Sequence, residues 1–123
     1  MIKPQDSQTA ILFSRVFAVL ADANRLLILK ALGDQEKSVN QIAIELNLSQ
    51  PLVSHHLTAL KAAGLATSKK AGSFVFYKIS TEKISDLIES MENVVEDIAT
   101  NSEIVPFQTP LFFARGRRGR RWM

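Results

Sequence analysis

The segment Leu48–Leu65, Leu-Ser-Gln-Pro-Leu-Val-Ser-His-His-Leu-Thr-Ala-Leu-Lys-Ala-Ala-Gly-Leu, leaves the chain few structural options. Ser49 is a good N-cap, and Pro51 falls in the first turn, where a missing N–H costs little. Gly64 stands where a helix ends in the left-handed conformation. Val53, Leu57 and Leu60 recur at helical spacing and require a core. Gln50, Ser54, His55 and Thr58 take the outer side of the first turns. The pattern predicts a capped helix with one buried face and one polar face. Short donors and acceptors near a helix N-terminus are what reading a DNA major groove requires. An ordinary amphipathic surface helix has the same pattern, so its neighbours must decide.

Those neighbours are informative. Ser38-Val-Asn-Gln41 is a capping box that opens a short helix with Val39, Ile42, Ala43 and Leu46 inward. Asn47-Leu48 turns the chain into the next helix, so residues 38–63 read as helix-turn-helix. Upstream, Asp22 to Leu32 reads as a helix with Leu26, Leu27, Leu29 and Leu32 on its apolar side, ended by Gly33. Downstream, the period changes. Leu65 to Lys69 alternates weakly, Lys70-Ala-Gly-Ser73 is a turn, and Phe74 to Ile79 is a β-branched and aromatic strand. This is a hairpin with Lys69 and Lys70 at its tip, a basic wing able to lie along phosphates or a solvated edge with protective lysines.

Two segments carry more apolar surface than a small domain can absorb. Residues 1–8 read as a polar lead-in, and Thr9 to Ala21 is apolar nearly all round, with Phe13 and Phe17 prominent. A helix capped by Ser80 or Thr81 runs to about Thr100, with Ile84, Leu87, Met91, Val94 and Ile98 stepping by three and four residues. The two helices are expected to meet a partner chain, Phe13, Phe17, Leu87, Met91, Val94 and Ile98 forming the interface. Packing within their own domain competes with that expectation.

Composition excludes whole classes. The 123 residues contain no Cys, so disulfides, thiolate metal sites and cysteine redox switches are ruled out. No segment reaches the ~18 apolar residues of a membrane span, and no secretory signal opens the chain, so a cytoplasmic location is expected. The net charge of +3 is unevenly placed: residues 1–80 carry +4, residues 81–103 carry −6 and residues 104–123 carry +5. No Ser/His/acid grouping, phosphate loop or metal cluster is visible, which argues against an enzyme and against a cofactor.

Three spaced segments, Leu20-Ala-Asp-Ala-Asn-Arg-Leu-Leu-Ile-Leu29, Ser49-Gln-Pro-Leu-Val-Ser-His-His-Leu57 and Leu60-Lys-Ala-Ala-Gly-Leu65, resemble the ArsR/SmtB family of winged-helix repressors. The likeness covers about residues 10–100. It implies a mainly α fold with a small β-hairpin, a winged helix-turn-helix, and a homodimer whose contacts come from the first and last helices. It implies a partner, double-stranded DNA, bound at a pseudo-palindromic operator. Carried over residue by residue, the resemblance makes Gln50, Ser54 and His55 base-edge readers, with Thr58 on the same outer side. Ser49 and Pro51 would seat the helix near a phosphate, and Lys69, Lys70 and Ser73 would be wing contacts. His56, between Leu52 and Leu60, reads as structural. The family's metal-sensing positions fall here on Ser38 and Asn40, or on Thr81, Lys83, Val94 and Asp97, a set unsuited to a transition metal. No metal is therefore expected. An effector, small molecule or protein, is left without an identity.

Residues 101–123 lie beyond the likeness. Ile104 to Ala114 holds three Phe and two Pro, and Arg115, Arg117, Arg118, Arg120 and Arg121 follow with two Gly and Trp122. Arg-Gly-Arg suits phosphates and narrow minor grooves, although a solubilising tail has the same composition. The expected division is thus a lead-in over 1–8, a winged helix-turn-helix domain over 9–100 and a Phe/Pro-containing, Arg-rich tail over 101–123. The expected function is a sequence-specific repressor; the alternative is an architectural or interaction module that uses its basic tail.

Overall fold

The computed structural model describes residues 3–101. The elements follow in the order α1 (Pro4–Leu20), α2 (Ala23–Leu32), β1 (Lys37–Ser38), α3 (Val39–Leu46), α4 (Gln50–Ala62), β2 (Ala66–Ala71), β3 (Phe74–Ile79) and α5 (Glu82–Asn101). The chain divides between Glu82 and Lys83 into two compact units. The first unit holds the expected helix-turn-helix and hairpin.

Local chemistry sets each boundary in that unit. The Asp22 carboxylate accepts from the Arg25 backbone N–H at 3.1 Å and caps α2. Gly33, at φ +55°, ends α2 in backbone that a side chain would strain. The capping box is complete: Ser38 Oγ accepts from Gln41 N–H at 3.1 Å, and Gln41 Oε1 accepts from Ser38 N–H at 2.8 Å. Asn47 takes the left-handed conformation at φ 58° and ψ 47°, which Asn tolerates, and turns the chain. Ser49 Oγ then accepts from Leu52 N–H at 3.2 Å to open α4.

These turns bring three apolar faces together. Ile28, Leu29 and Leu32 of α2, Ile42 of α3, and Val53, Leu57 and Leu60 of α4 are the fully buried side chains. Each contributes roughly 1.5–3 kcal/mol of apolar burial. Leu65, Ala66 and Ile79 close one end of this core from the hairpin.

The structure differs from the sequence reading in three places. First, α1 begins at Pro4, not Thr9: Lys3 N–H donates to Asp6 Oδ2 at 2.8 Å, and Asp6 sits favourably against the helix dipole. Residues 4–8 are therefore helical. Second, β3 pairs with β1 as well as β2, giving a three-stranded antiparallel sheet in the order β1-β3-β2. Third, β2 extends to Ala71, so Lys69 and Lys70 lie within the strand, and Gly72-Ser73 form the tip. Gly72, at φ +68°, supplies the positive φ that a two-residue hairpin loop needs. Ser80 donates its hydroxyl to the Gly64 carbonyl at 2.8 Å, and α5 begins at Glu82, directly after Thr81.

One polar cluster is built into the core edge. His56, 5% exposed, accepts through Nδ1 from Arg25 Nε at 3.1 Å, and its Nε2 lies 3.9 Å from Asp22 Oδ1. Arg25 Nη1 also donates to the Val19 carbonyl at 3.1 Å, so one guanidinium ties α1, α2 and α4 together. Burial is the main influence lowering the His56 pKa from its ordinary 6.5; Asp22 opposes it, while Arg25 and His55 add to it. The folded protein thus holds His56 neutral, and the unfolded chain takes up the proton first as pH falls. This contribution to stability is present above pH 6.5 and is lost as pH drops below it. Urea unfolding at about pH 7.5 and about pH 5.5 should show a midpoint that falls on acidification, and His56→Gln, which keeps an acceptor for Arg25, should flatten that fall. An equal fall in both proteins would remove His56 as the cause.

Candidate nucleic-acid interface

With Val53, His56, Leu57 and Leu60 buried, the opposite face of α4 is fixed outward. Gln50, Pro51, Ser54, His55 and Thr58 are all exposed on it, and Ser49 is exposed at the cap. Gln50, Ser54 and Thr58 follow one another at four-residue steps, and Lys61 extends the same stripe by one further turn. In the first turn Ser49 Oγ takes the Leu52 N–H, the Ser49 carbonyl takes the Val53 N–H and Pro51 has none, so the Gln50 N–H and the positive dipole end are what it offers a phosphate.

The side chains on this face differ in their freedom. Thr58 donates its hydroxyl to the Ser54 carbonyl at 2.9 Å, which leaves it an acceptor only. The ring nitrogens of His55 and the hydroxyl of Ser54 make no hydrogen bond among the described residues. The His55 ring stands edge-on to His56, with centroids 5.2 Å apart. Gln50 Nε2 donates to Asn40 Oδ1 of α3 at 2.6 Å, a link across the two helices of the helix-turn-helix.

The sheet register separates the wing lysines. Successive strand residues alternate faces, so Lys70 shares a face with Ser68, Ala66 and Ile79, the side that closes the core. Lys69 lies on the other face, opposite Phe76, and pairs with Glu36 at 3.4 Å. Lys61 Nζ donates to Ser68 Oγ at 2.8 Å, joining α4 to the wing. Of the expected wing residues, Lys70 and Ser73 are exposed and free of ion pairs among the described residues, whereas Lys69 is partly neutralised. Sequence reading passed over Lys61, although its spacing from Gln50 is helical. It also passed over Asn40, whose link to Gln50 no local pattern reveals.

The residues expected at a dimer interface are exposed within one chain. On α1, Phe13 and Phe17 are 59% and 53% exposed, with Ile11 and Leu12 beside them. Phe13 and Phe17 stack edge-to-face at 6.4 Å. On α5, Leu87, Met91, Val94 and Ile98 are exposed along a three-four repeat. Isolated apolar side chains are ordinary on a surface; runs of this density mark a contact.

No three His, Asp or Glu side chains converge as a metal site among the described residues, and no described helix is long and apolar enough to cross a membrane. The tail arginines, Arg115, Arg117, Arg118, Arg120 and Arg121, lie outside the described residues.

Known proteins share this sequence pattern and fold. The sequence profile described as bacterial regulatory protein, arsR family, matches residues 22–68, which hold α2 to the start of β2. The HTH-type transcriptional regulator KmtR of Mycobacterium tuberculosis is 35% identical over 69% of this chain and 65% of its own length. The transcriptional repressor SdpR of Bacillus subtilis is 33% identical over 67% of this chain and 91% of its own. A homodimeric winged helix-turn-helix DNA-binding domain from Mycobacterium bovis, solved by NMR, superimposes with a TM-score of 0.70 at 25% identity, over 85% of this chain and 97% of its own. The chain belongs to the arsR family of bacterial regulatory proteins, and its fold is that of a DNA-binding transcriptional regulator, not of an enzyme.

Proposed function

We propose that this protein is a transcriptional repressor that binds a pseudo-palindromic operator as a homodimer, in the cytoplasm. The observation that carries the reading is the outer face of α4, where Gln50, Ser54 and His55 stand exposed near a helix N-terminus above a fully buried seat. Gln50 and His55 offer donors and acceptors to base edges, and Ser54 adds a short hydroxyl. Ser49, Pro51 and the Gln50 backbone N–H sit against a phosphate, with Thr58 beside them. Lys70 and Ser73 of the wing, together with Lys61, follow the backbone, and Lys69 contributes less because Glu36 draws on its charge.

Homodimerisation rests on α1 and α5. Their exposed Phe13, Phe17, Leu87, Met91, Val94 and Ile98 make good sense only when covered. The likeness to a homodimeric domain supports a second copy as the cover. The Arg-rich tail adds phosphate contacts of low sequence preference. No metal or cofactor takes part in this reading, and the signal that releases the operator is a separate matter.

DNase footprinting tests the whole: one protected, roughly two-fold site supports a repressor, and diffuse coverage supports an architectural role. Gln50→Ala and His55→Ala should each weaken operator binding by ~1–3 kcal/mol and spare non-specific binding. Unchanged operator preference in gel shifts would remove these residues from base reading. Phe17→Glu, at a side chain exposed in the single chain, should leave the helical circular-dichroism spectrum intact while weakening the dimer by about tenfold or more in sedimentation equilibrium. A dimer of unaltered strength would place the interface elsewhere. Removing residues 115–123 should lower affinity for all DNA and reduce the salt slope by roughly 0.9 for each phosphate that the tail neutralises. An identical slope would mean that the tail does not touch DNA.

A further inference from the structure

The hydrogen bond between Gln50 and Asn40 has consequences for base selection. The Gln50 carboxamide has two N–H donors and one oxygen acceptor, and at 2.6 Å one donor is committed to Asn40 Oδ1. What remains is one N–H and the carbonyl oxygen. That pair complements adenine, which offers N7 as acceptor and N6–H as donor in the major groove. Guanine offers two acceptors, N7 and O6, and so calls for two donors. An unbraced glutamine at the exposed start of α4 can turn its amide over, present the NH₂ group, and satisfy guanine or the O4 of thymine as readily. An acceptor at Asn40 opposes that turn: Gln50 turning alone would set two oxygens against each other, and a paired turn requires the Asn40 amide to turn as well. Both residues are exposed, so the bond holds no core together. Its effect falls on where the amide points. We propose that Asn40 of α3 is a positioning residue that orients the Gln50 amide and thereby makes α4 selective for adenine at one position in each half-site. This inference rests on the reading of α4 as a base reader.

The fixing is done by an acceptor, which separates the inference from a general packing role. Asn40→Ala removes the acceptor. Asn40→Asp keeps an acceptor and offers no donor, so it holds the amide in the same sense, at the cost of a negative charge near phosphates. The full-length protein, its three single variants Gln50→Ala, Asn40→Ala and Asn40→Asp, and the double variant are each taken through selection from a randomised duplex library. Binding to the winning duplex and to versions substituted at each position is then measured. Wild type is expected to enrich a two-fold site with one adenine per half that Gln50→Ala no longer selects. Asn40→Ala should reduce the preference for that adenine about fivefold or more, with little change in thermal stability. Asn40→Asp should bind all duplexes more weakly and keep the wild-type preference ratio. In the Gln50→Ala background, Asn40→Ala should change the ratio no further. The inference is overturned if Asn40→Ala keeps the wild-type ratio, if Asn40→Asp relaxes it as Asn40→Ala does, or if the double variant is less selective than Gln50→Ala alone. Those results leave Gln50 as a base reader untouched. If wild type enriches no site at all, the operator reading falls and this inference falls with it.

Discussion

Val53, Leu57 and Leu60 are withdrawn from solvent completely, and they hold α4 against α2 and α3, whose Ile28, Leu29, Leu32 and Ile42 are buried to the same degree. A helix of 13 residues seated this way has no freedom to roll. Rolling by one residue would move an apolar side chain into water and bring Ser54 or His55 into the core. Leaving a hydroxyl there without a partner costs about 1–3 kcal/mol, and losing a buried leucine costs a similar amount. The direction of the polar face is therefore set from behind, by packing, and needs nothing from DNA. The Asp22–Arg25–His56 cluster adds a polar fastening at the same buried edge, and the Lys61–Ser68 bond fastens the far end of α4 to the sheet.

The same small core explains why α1 and α5 carry apolar side chains without an interior to hold them. Three short helices and a hairpin fill the available volume, and from α1 only Leu20 is buried. Water contact at Ile11, Leu12, Phe13 and Phe17 is an energetic cost, which a second copy would relieve on the proposed reading. On that reading, self-association covers these side chains as well as pairing the two α4 helices.

The parts legible in the sequence were those set by chemistry within one turn of helix. Ser38 with Gln41 and Ser49 with Pro51 each declare a helix start within the first turn, and both are formed as expected; Asp22, read as the first residue of α2, is its cap. His56 could be assigned to structure because its neighbours four residues away are apolar. What escaped was set by contacts between distant segments. Strand β1 is two residues long and exists only because Lys37 and Ser38 meet Tyr77 and Phe76. The facing of Lys69 and Lys70 depended on a hairpin whose strands run further toward the tip than alternation suggested. The bracing of Gln50 by Asn40 joins residues ten apart on different helices. Propensity and periodicity are silent on all of these, since they describe how a residue relates to its own helix or strand.

On the proposed reading, the dimer also answers a problem of magnitude. One α4 offers at most three side chains to base edges, and a good bidentate contact discriminates by about 1–3 kcal/mol. Specific operators are distinguished from random DNA by roughly 4–10 kcal/mol. A single helix reaches the upper part of that range only if all three contacts are at their strongest, and two copies of the same helix span it with ordinary contacts. Two-fold symmetry also fixes a spacing of about one helical turn of DNA between half-sites, so the geometry of the protein interface becomes part of the specificity. An effector then has no need to approach α4. Anything that binds one arrangement of the α1 and α5 surfaces better than another changes the spacing of two rigidly seated helices, and the operator is lost with every base-reading side chain still in place.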